Sequence, residues 1–310
     1  MNLFNSTLNQ TAFLFSFIAI GYFLAKFKHI PENSSSVLSK LENMLFIPAL
    51  VGGTFISDFT VEKLSSMWKV ILASSVVLAV AAVLAVVVSK CLTRDKYIQN
   101  IFTYGLAFSN FGFMGNAVVK ALFPEIFTEY IIFTIPLWVL IYLWGVPSLL
   151  ISGSGQKQSM AQKLKNFLNP MFIGMIIGMI IGLTGIKLPV WLTSVIEVSG
   201  NCMSPVAMLL TGITVAGISL KKTFTNLRIY AVTFIRLIVF PLLFVAIAQI
   251  IPMGNVAYTC ALCSLAMPLG LNTVVIPSAY GKDTTVAAGM AVVSHLLSCI
   301  TIPLLFLLFR

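Results

Sequence analysis

Residues Phe108–Val119 read Phe-Ser-Asn-Phe-Gly-Phe-Met-Gly-Asn-Ala-Val-Val. They lie inside a long apolar run, 97–122, yet Asn110, Gly112, Gly115 and Asn116 interrupt it. Glycine weakens a helix by roughly 1 kcal/mol relative to alanine, and asparagine brings an amide that needs partners. A second stretch, Met267–Pro277, carries Pro268, Gly270, Asn272, Thr273 and Pro277 inside the apolar run 255–280. Proline removes a backbone donor and displaces the carbonyl four residues earlier. In a bilayer, unpaired backbone groups are tolerated only where protein buries them or a water-filled cavity meets them. Two interrupted runs therefore predict two broken helices with a binding site between them.

The composition makes these runs membrane spans. The chain has 310 residues, 59% hydrophobic and only 9% charged, with mean hydropathy +1.01. Soluble domains carry about a quarter charged residues. The fold class predicted is an all-α polytopic membrane protein. A span needs about 20 mostly apolar residues. Ten such runs are present: 9–27, 36–57, 67–90, 97–122, 127–151, 168–187, 190–218, 226–251, 255–280 and 284–309. The polar stretch 153–167 reads as a flexible linker. It separates a first set of five spans, 1–152, from a second, 168–310.

The formal net charge of +10 does not indicate nucleic-acid binding, because the basic residues sit in short loops between apolar runs. They concentrate in the odd-numbered connections: Lys26 and Lys28; Lys90, Arg94 and Lys96; Lys157, Lys163 and Lys165; Lys221, Lys222 and Arg228; and Lys282. The even-numbered connections carry Lys63, Lys69, Lys120 and Lys187 alongside Asp58, Glu62, Glu125 and Glu129. The more basic side faces the cytoplasm. Both termini are then expected on the non-cytoplasmic side of a bacterial inner membrane. No cleavable signal peptide is expected, because Met1–Gln10 lacks a basic n-region.

Five spans per half places the second half upside down relative to the first, the inverted-repeat build of secondary carriers. Matching features support it. Gly112 precedes Pro147 by 35 positions and Gly270 precedes Pro303 by 33. Pro48 follows Glu42 in span two, and Pro205 follows Glu197 in span seven. Pro48, Pro205 and Pro277 are read as helix breaks or hinges. Half-helix N-termini at the breaks suit an anionic group, and Asn110, Asn116 and Asn272 supply further donors. The bland alternative is that the small residues only let helices pack closely.

Few charges lie inside the spans. Arg236 stands about eleven residues into span eight, where a buried arginine costs several kcal/mol. It is read as a fixed positive charge for a carboxylate, the alternative being a structural partner for an acid, a carbonyl or a cavity. His295 in span ten is either a proton-coupling group or a hydrogen-bonded core histidine. Ser294, Ser298 and Thr301 share its face, which means little alone. Glu42 and Glu197 could take up a proton if desolvated, with Lys40 near enough to pair with Glu42. Asp283 is expected to cap span ten. Cys260 and Cys263 form a C-x-x-C without further cysteine pairs or clustered histidines and read as packing residues. No metal and no cofactor are called for.

The ten-span layout, the central basic loop, the N-x-G-x-x-G from Asn110 to Gly115, and the later motifs Pro268–Gly281, Ala287–Met290 and Ile302–Leu304 together resemble the auxin efflux carrier family. The resemblance covers the whole chain. The family includes bacterial carriers of malonate-like and malate-like acids and the plant auxin exporters. It implies that spans four and nine unwind and cross at the midplane. Spans one, two, six and seven would form a scaffold, and three to five and eight to ten an elevator-like transport unit. It also implies a homodimer through the scaffold. Asn110, Gly112, Gly115 and Pro268 match the family pattern. Ala117 departs from it, standing where the family usually has proline, and Pro277 stands where a small residue is common.

The expected function is secondary transport of a small organic carboxylate, bound by Asn110, Gly112, Gly115, Asn116, Pro268, Gly270, Asn272, Thr273 and Arg236. Alternatives are a sodium-coupled symporter of the bile-acid-carrier type and a non-transporting sensor. An enzyme is disfavoured, since no nucleophile–base pair or metal set is visible. A channel is disfavoured by the lack of filter repeats or charged rings.

Overall fold

The computed structural model of the chain describes residues 3–61, 67–151, 169–217, 225–251 and 253–310. The linker 153–167, with its lysines, and Glu62, Lys63, Lys221 and Lys222 lie outside the described residues. Helix dominates, and the described residues form no strand beyond one isolated antiparallel bridge, Ser109 to Leu269.

In chain order the helices are α1 (Leu3–Lys26), α2 (Ser34–Leu41), α3 (Ile47–Asp58), α4 (Trp68–Leu92), α5 (Lys96–Ala107), α6 (Asn116–Leu122) and α7 (Phe127–Leu140). They continue with α8 (Pro170–Thr184), α9 (Val190–Ala216), α10 (Leu227–Phe234), α11 (Phe240–Ile250), α12 (Asn255–Ala266), α13 (Asn272–Ala279) and α14 (Thr285–Phe309). Wide π-helical segments join several of them: Glu42–Phe46, Phe111–Gly115, Ile141–Ile151 and Ile235–Val239. Among the described residues six continuous helical stretches are long and apolar enough to cross a membrane: Phe4–Lys26, Trp68–Leu92, Pro124–Ile151, Val190–Ala216, Leu227–Ile250 and Thr285–Phe309. Ser34–Asp58 is also continuous helix through its π segment but falls outside that set, and the other expected spans are shorter or interrupted. Pro170–Thr184 has 15 residues, about 22 Å of helix, less than the roughly 30 Å hydrocarbon core.

Helix starts follow local chemistry. Asp95, Asn169 and Asn226 each accept a backbone N–H, from Ile98, Phe172 and Arg228, at 3.1 Å. Such caps satisfy donors that a first turn leaves open. Gly185 ends α8 with φ +68, a backbone state that glycine adopts without strain.

α1, α3, α8 and α9 pack backbone against backbone. Gly174, Gly178 and Gly182 recur every four residues on one stripe of α8. A methyl group at Gly178 would stand 2.5 Å from the Gly52 carbonyl oxygen, and one at Gly182 would overlap that of Phe55. On the α1–α9 contact a methyl at Gly21 would overlap the Leu209 carbonyl, and one at Gly212 that of Ile18. Small residues at four-residue spacing let membrane helices approach this closely, where van der Waals contact replaces the missing hydrophobic drive. The rest of the core is richer in large rings, including buried Phe102, Tyr104, Phe108, Phe133 and Phe306.

Residues from odd-numbered connections meet one another. Arg228 Nη1 donates to Thr93 Oγ1, Tyr97 Oη donates to the Asp283 carbonyl, and Lys282 Nζ donates to the Leu150 and Ile151 carbonyls. Burial among these groups lowers the Lys282 ammonium below the usual lysine value. Residues at even-numbered connections, Asp58, Phe127 and Thr193, share a cavity instead.

Candidate functional site: the crossing of two broken helices

α5 ends at Ala107 and helix resumes at Phe111, so the chain leaves helical geometry over residues 108–110. α12 ends at Ala266 and α13 begins at Asn272, leaving residues 267–271 irregular. The two gaps lie against each other. Asn110 N donates to the Pro268 carbonyl at 2.8 Å, and Ser109 pairs antiparallel with Leu269. Ser109 Oγ donates to the Ser264 carbonyl at 2.7 Å, and Leu269 N to Ser294 Oγ at 3.3 Å. A methyl at Gly270 would stand 2.5 Å from the Phe108 carbonyl oxygen, so only glycine admits this approach. Backbone groups freed by one break are satisfied by the other, which is how irregular backbone persists at depth.

Arg236 closes the arrangement from the side. It is 1% exposed, and its Nε, Nη1 and Nη2 donate to the carbonyls of Met267, Leu106 and Ser264 at 3.2, 2.9 and 3.0 Å. Those carbonyls lie at the C-terminal ends of α5 and α12, where a helix carries partial negative charge and unpaired acceptors. The fork geometry of guanidinium suits three such acceptors. All three nitrogens of the arginine read from sequence as a carboxylate ligand are engaged with backbone carbonyls, one of the alternative partners considered for it.

Asn110 Nδ2 lies 2.8 Å from His295 Nε2, and His295 Nδ1 lies 2.7 Å from the Ala291 carbonyl. The carbonyl requires the proton on Nδ1, leaving Nε2 to accept from the amide, the pattern of a neutral imidazole. Asn110 Oδ1 is buried without a partner, and so is Asn116 Oδ1. Asn116 borders a cavity of about 250 Å³ that Gln10, Lys120, Asn201 and Ser204 also line. Asn272 Nδ2 donates to Tyr104 Oη at 2.9 Å, while Thr273 Oγ1 is spent on the Gly270 carbonyl at 2.8 Å. Gly112 and Gly115 make room for rings of α7. A methyl at Gly112 would stand 2.9 Å from Trp138, and one at Gly115 would overlap the Tyr130 hydroxyl, which donates to the Phe111 carbonyl at 3.1 Å.

The prolines behave differently from the expectation. α9 runs unbroken through Pro205, and α13 through Pro277, so neither ends a helix. Packing on neighbouring helices holds the flanking turns, and a proline then costs one carbonyl its partner without breaking the helix. Pro48 opens α3 directly after a π segment, as Pro241 opens α11. The break in span nine sits at 267–271, upstream of Pro277.

Glu42 is 0% exposed and neither carboxyl oxygen has a hydrogen-bond partner, so the pairing with Lys40 considered from sequence is absent. Glu197 is exposed and lines a second cavity of about 270 Å³, beside Asp58, Lys120 and Asn201. Asp283 Oδ1 accepts from Thr285 N and Oγ1 at 2.9 and 2.6 Å, at the start of α14. These bonds hold its carboxyl below the usual carboxylate value. Among the described residues no group of His, Cys, Asp or Glu is placed to hold a metal ion, and Cys260 and Cys263 are free and buried.

Sequence reading missed Tyr104, Ser109, Lys120, Tyr130, Asn201 and Ser204. Hydroxyls in apolar helices usually bond their own backbone, so nothing local separates Ser109 or Ser204 from Thr54, which does. One usable signal existed: the intramembrane charges Glu42 and Arg236 each start or lie in a π segment followed at once by a proline-opened helix.

Comparison with curated proteins returns no match. Residues 6–306 match the family model described as membrane transport protein. Nearly the whole chain is covered, and the broken, apolar helices agree with that description: the chain belongs to the membrane transport protein family, the family of the auxin efflux carriers.

Proposed function

We propose that this membrane transporter is a secondary carrier of a small organic carboxylate. The observation that carries the reading is the antiparallel contact of the two helix breaks, Ser109–Asn110 against Pro268–Leu269. Broken helices meeting inside an apolar bundle gather amides and polar side chains that can exchange their present partners for a small anion. Asn110, Asn116 and Asn272 are the amides offered at this crossing, and Arg236 holds its two halves together.

In this reading the chain crosses the membrane ten times, as two inverted sets of five. Spans one, two, six and seven are the scaffold, their seam closed by glycine. The other six move against it in an elevator-like exchange that carries the crossing from one side to the other. The transporter works as a homodimer through its scaffold in a bacterial inner membrane, with both termini on the non-cytoplasmic side. A proton is the coupling ion favoured over sodium, because carboxylates are scarce around residues 110 and 272. His295, bonded to Asn110, is the coupling candidate nearest the crossing. Glu42 is a second, since a buried unpaired carboxylate is very costly unless it carries a proton. Glu197 is the third.

Liposome uptake of labelled malonate, malate and an indole carboxylate, with and without a pH gradient, tests the proposal. The expected result is gradient-dependent uptake of at least one acid, lost in Asn110→Ala while membrane insertion is kept. Normal uptake by Asn110→Ala would remove the crossing as the site.

A further inference from the structure

The two cavities described above lie side by side and share Leu50, Lys120, Gly200 and Asn201. They separate α6 from α3 and α9. Their charges differ. The cavity of about 270 Å³ holds Asp58 and Glu197, whereas in the cavity of about 250 Å³ Lys120 is the charged residue among polar Gln10, Asn116, Asn201 and Ser204.

Lys120 has an unusual partner for an ammonium beside two carboxylates. Lys120 is exposed; its Nζ donates to the side-chain oxygen of Asn201 at 2.9 Å and stands 5.9 Å from the centre of the Phe127 ring. Asp58 Oδ2 accepts instead from Thr128 Oγ1 at 2.9 Å. The bond to Asn201 is charge-assisted on one side only, and a carboxylate adds the attraction of the opposite charge. One turn earlier on the same face of the helix stands Asn116. Its side chain is 5% exposed, borders the same cavity, and leaves Oδ1 buried without a partner. A buried acceptor without a partner and an accessible ammonium held by a neutral amide thus stand four residues apart along one wall.

We infer that Lys120 receives the transported anion. A carboxylate displaces the Asn201 oxygen from the Lys120 ammonium, and a hydroxyl or N–H elsewhere on the ligand donates to Asn116 Oδ1. Displacement also removes a side-chain bond between α6 and α9, so binding loosens the contact that must slide if α6 moves against α9. The inference deepens the carrier reading by naming the residue that selects for negative charge, and it can be tested by binding alone.

The test uses the purified full-length protein in detergent at constant ionic strength. Its unfolding temperature is followed against malonate, malate and indole-3-acetate, with uncharged malonamide as control. Wild type is expected to show a saturable rise with at least one acid and none with malonamide. Lys120→Gln should weaken that acid by about tenfold or more, the size of one charged hydrogen bond, and Lys120→Arg should stay within about threefold of wild type. Asn201→Ala should bind at least as tightly as wild type, because the competing amide is gone; a purely structural role for the Lys120–Asn201 bond would not produce this. Wild-type affinity in Lys120→Gln, a loss in Asn201→Ala as large as in Lys120→Gln, or no saturable rise with any of the acids would each overturn the inference. Lys120-dependent binding without liposome uptake would instead overturn the carrier reading and leave the anion site standing.

Discussion

The seam between α3 and α8 and the crossing of the two breaks are both places where backbone approaches backbone, yet they are built in opposite ways. At the seam, Gly174, Gly178 and Gly182 face Pro48, Gly52 and Phe55 within unbroken helical turns. Close van der Waals contact between small residues holds the pair. At the crossing, helical bonds are given up and remade across the gap by Asn110 N, Ser109 Oγ and Arg236. Two acceptors, Asn110 Oδ1 and Asn116 Oδ1, are left over. A seam of the first kind is held by close packing with no exchanged bonds to remake and suits a fixed frame. A crossing of the second kind keeps such capacity and suits a ligand.

The sharpest way to break this contrast is Arg236→Met. Three carbonyls at helix ends lose their donor, and a loss on the order of 3–5 kcal/mol is expected. The readout is the yield of monodisperse protein and its unfolding temperature. A folded variant with only weakened anion binding would return Arg236 to the ligand. Gly178→Ala tests the seam. Its methyl would stand 2.5 Å from a backbone oxygen that cannot rotate away, so about 1–3 kcal/mol of destabilisation is expected, with the affinity of the surviving folded protein for its anion unchanged. A changed affinity would show that seam and site are coupled.

Asn110→Ala should be milder in stability, about 1 kcal/mol for one lost buried hydrogen bond, and severe in uptake. His295→Gln separates the two, because it keeps a partner for the Asn110 amide; retained binding with lost gradient dependence is the result expected of a coupling residue. The smallest effect belongs to Asp283→Asn, about a few tenths of a kcal/mol for an exposed carboxylate that bonds Thr285 from just outside α14, where Thr284 rather than Asp283 is the N-cap. The Asp283 carboxyl is lowered by its Thr285 bonds. Its contribution is therefore complete above the ordinary carboxylate value and lost as pH falls through the lowered one. Thermal melts from pH 6 to 3 should lose that acid-side slope in Asp283→Asn.

Much of the crossing was legible before any coordinates. Asn110, Gly112, Gly115, Pro268 and Gly270 announce themselves because helix breakers and amides are conspicuous in an apolar run. The structure moved the breaks to residues 108–110 and 267–271 and let α9 and α13 pass through Pro205 and Pro277. Proline reports a missing donor; whether a helix stops there depends on what packs around it. Arg236 was visible as an intramembrane charge, but its partners come from 28 to 130 residues away, a separation that no local pattern encodes. Lys120 looked like one loop lysine among several until the cavities placed it opposite Asn201.

Sequence alone determined the solvent this chain folds in, its helical class and the two segments that cannot remain regular helix. Those are properties of composition and of single residues: hydropathy, the missing N–H of proline, the freedom of glycine. Tertiary structure decided which carbonyls Arg236 satisfies, which asparagine oxygens stay unpaired, and which glycines are closed by a neighbour. Each of these is a relation between distant segments, and a hydrogen bond or a van der Waals contact exists only once the fold has brought its two sides together.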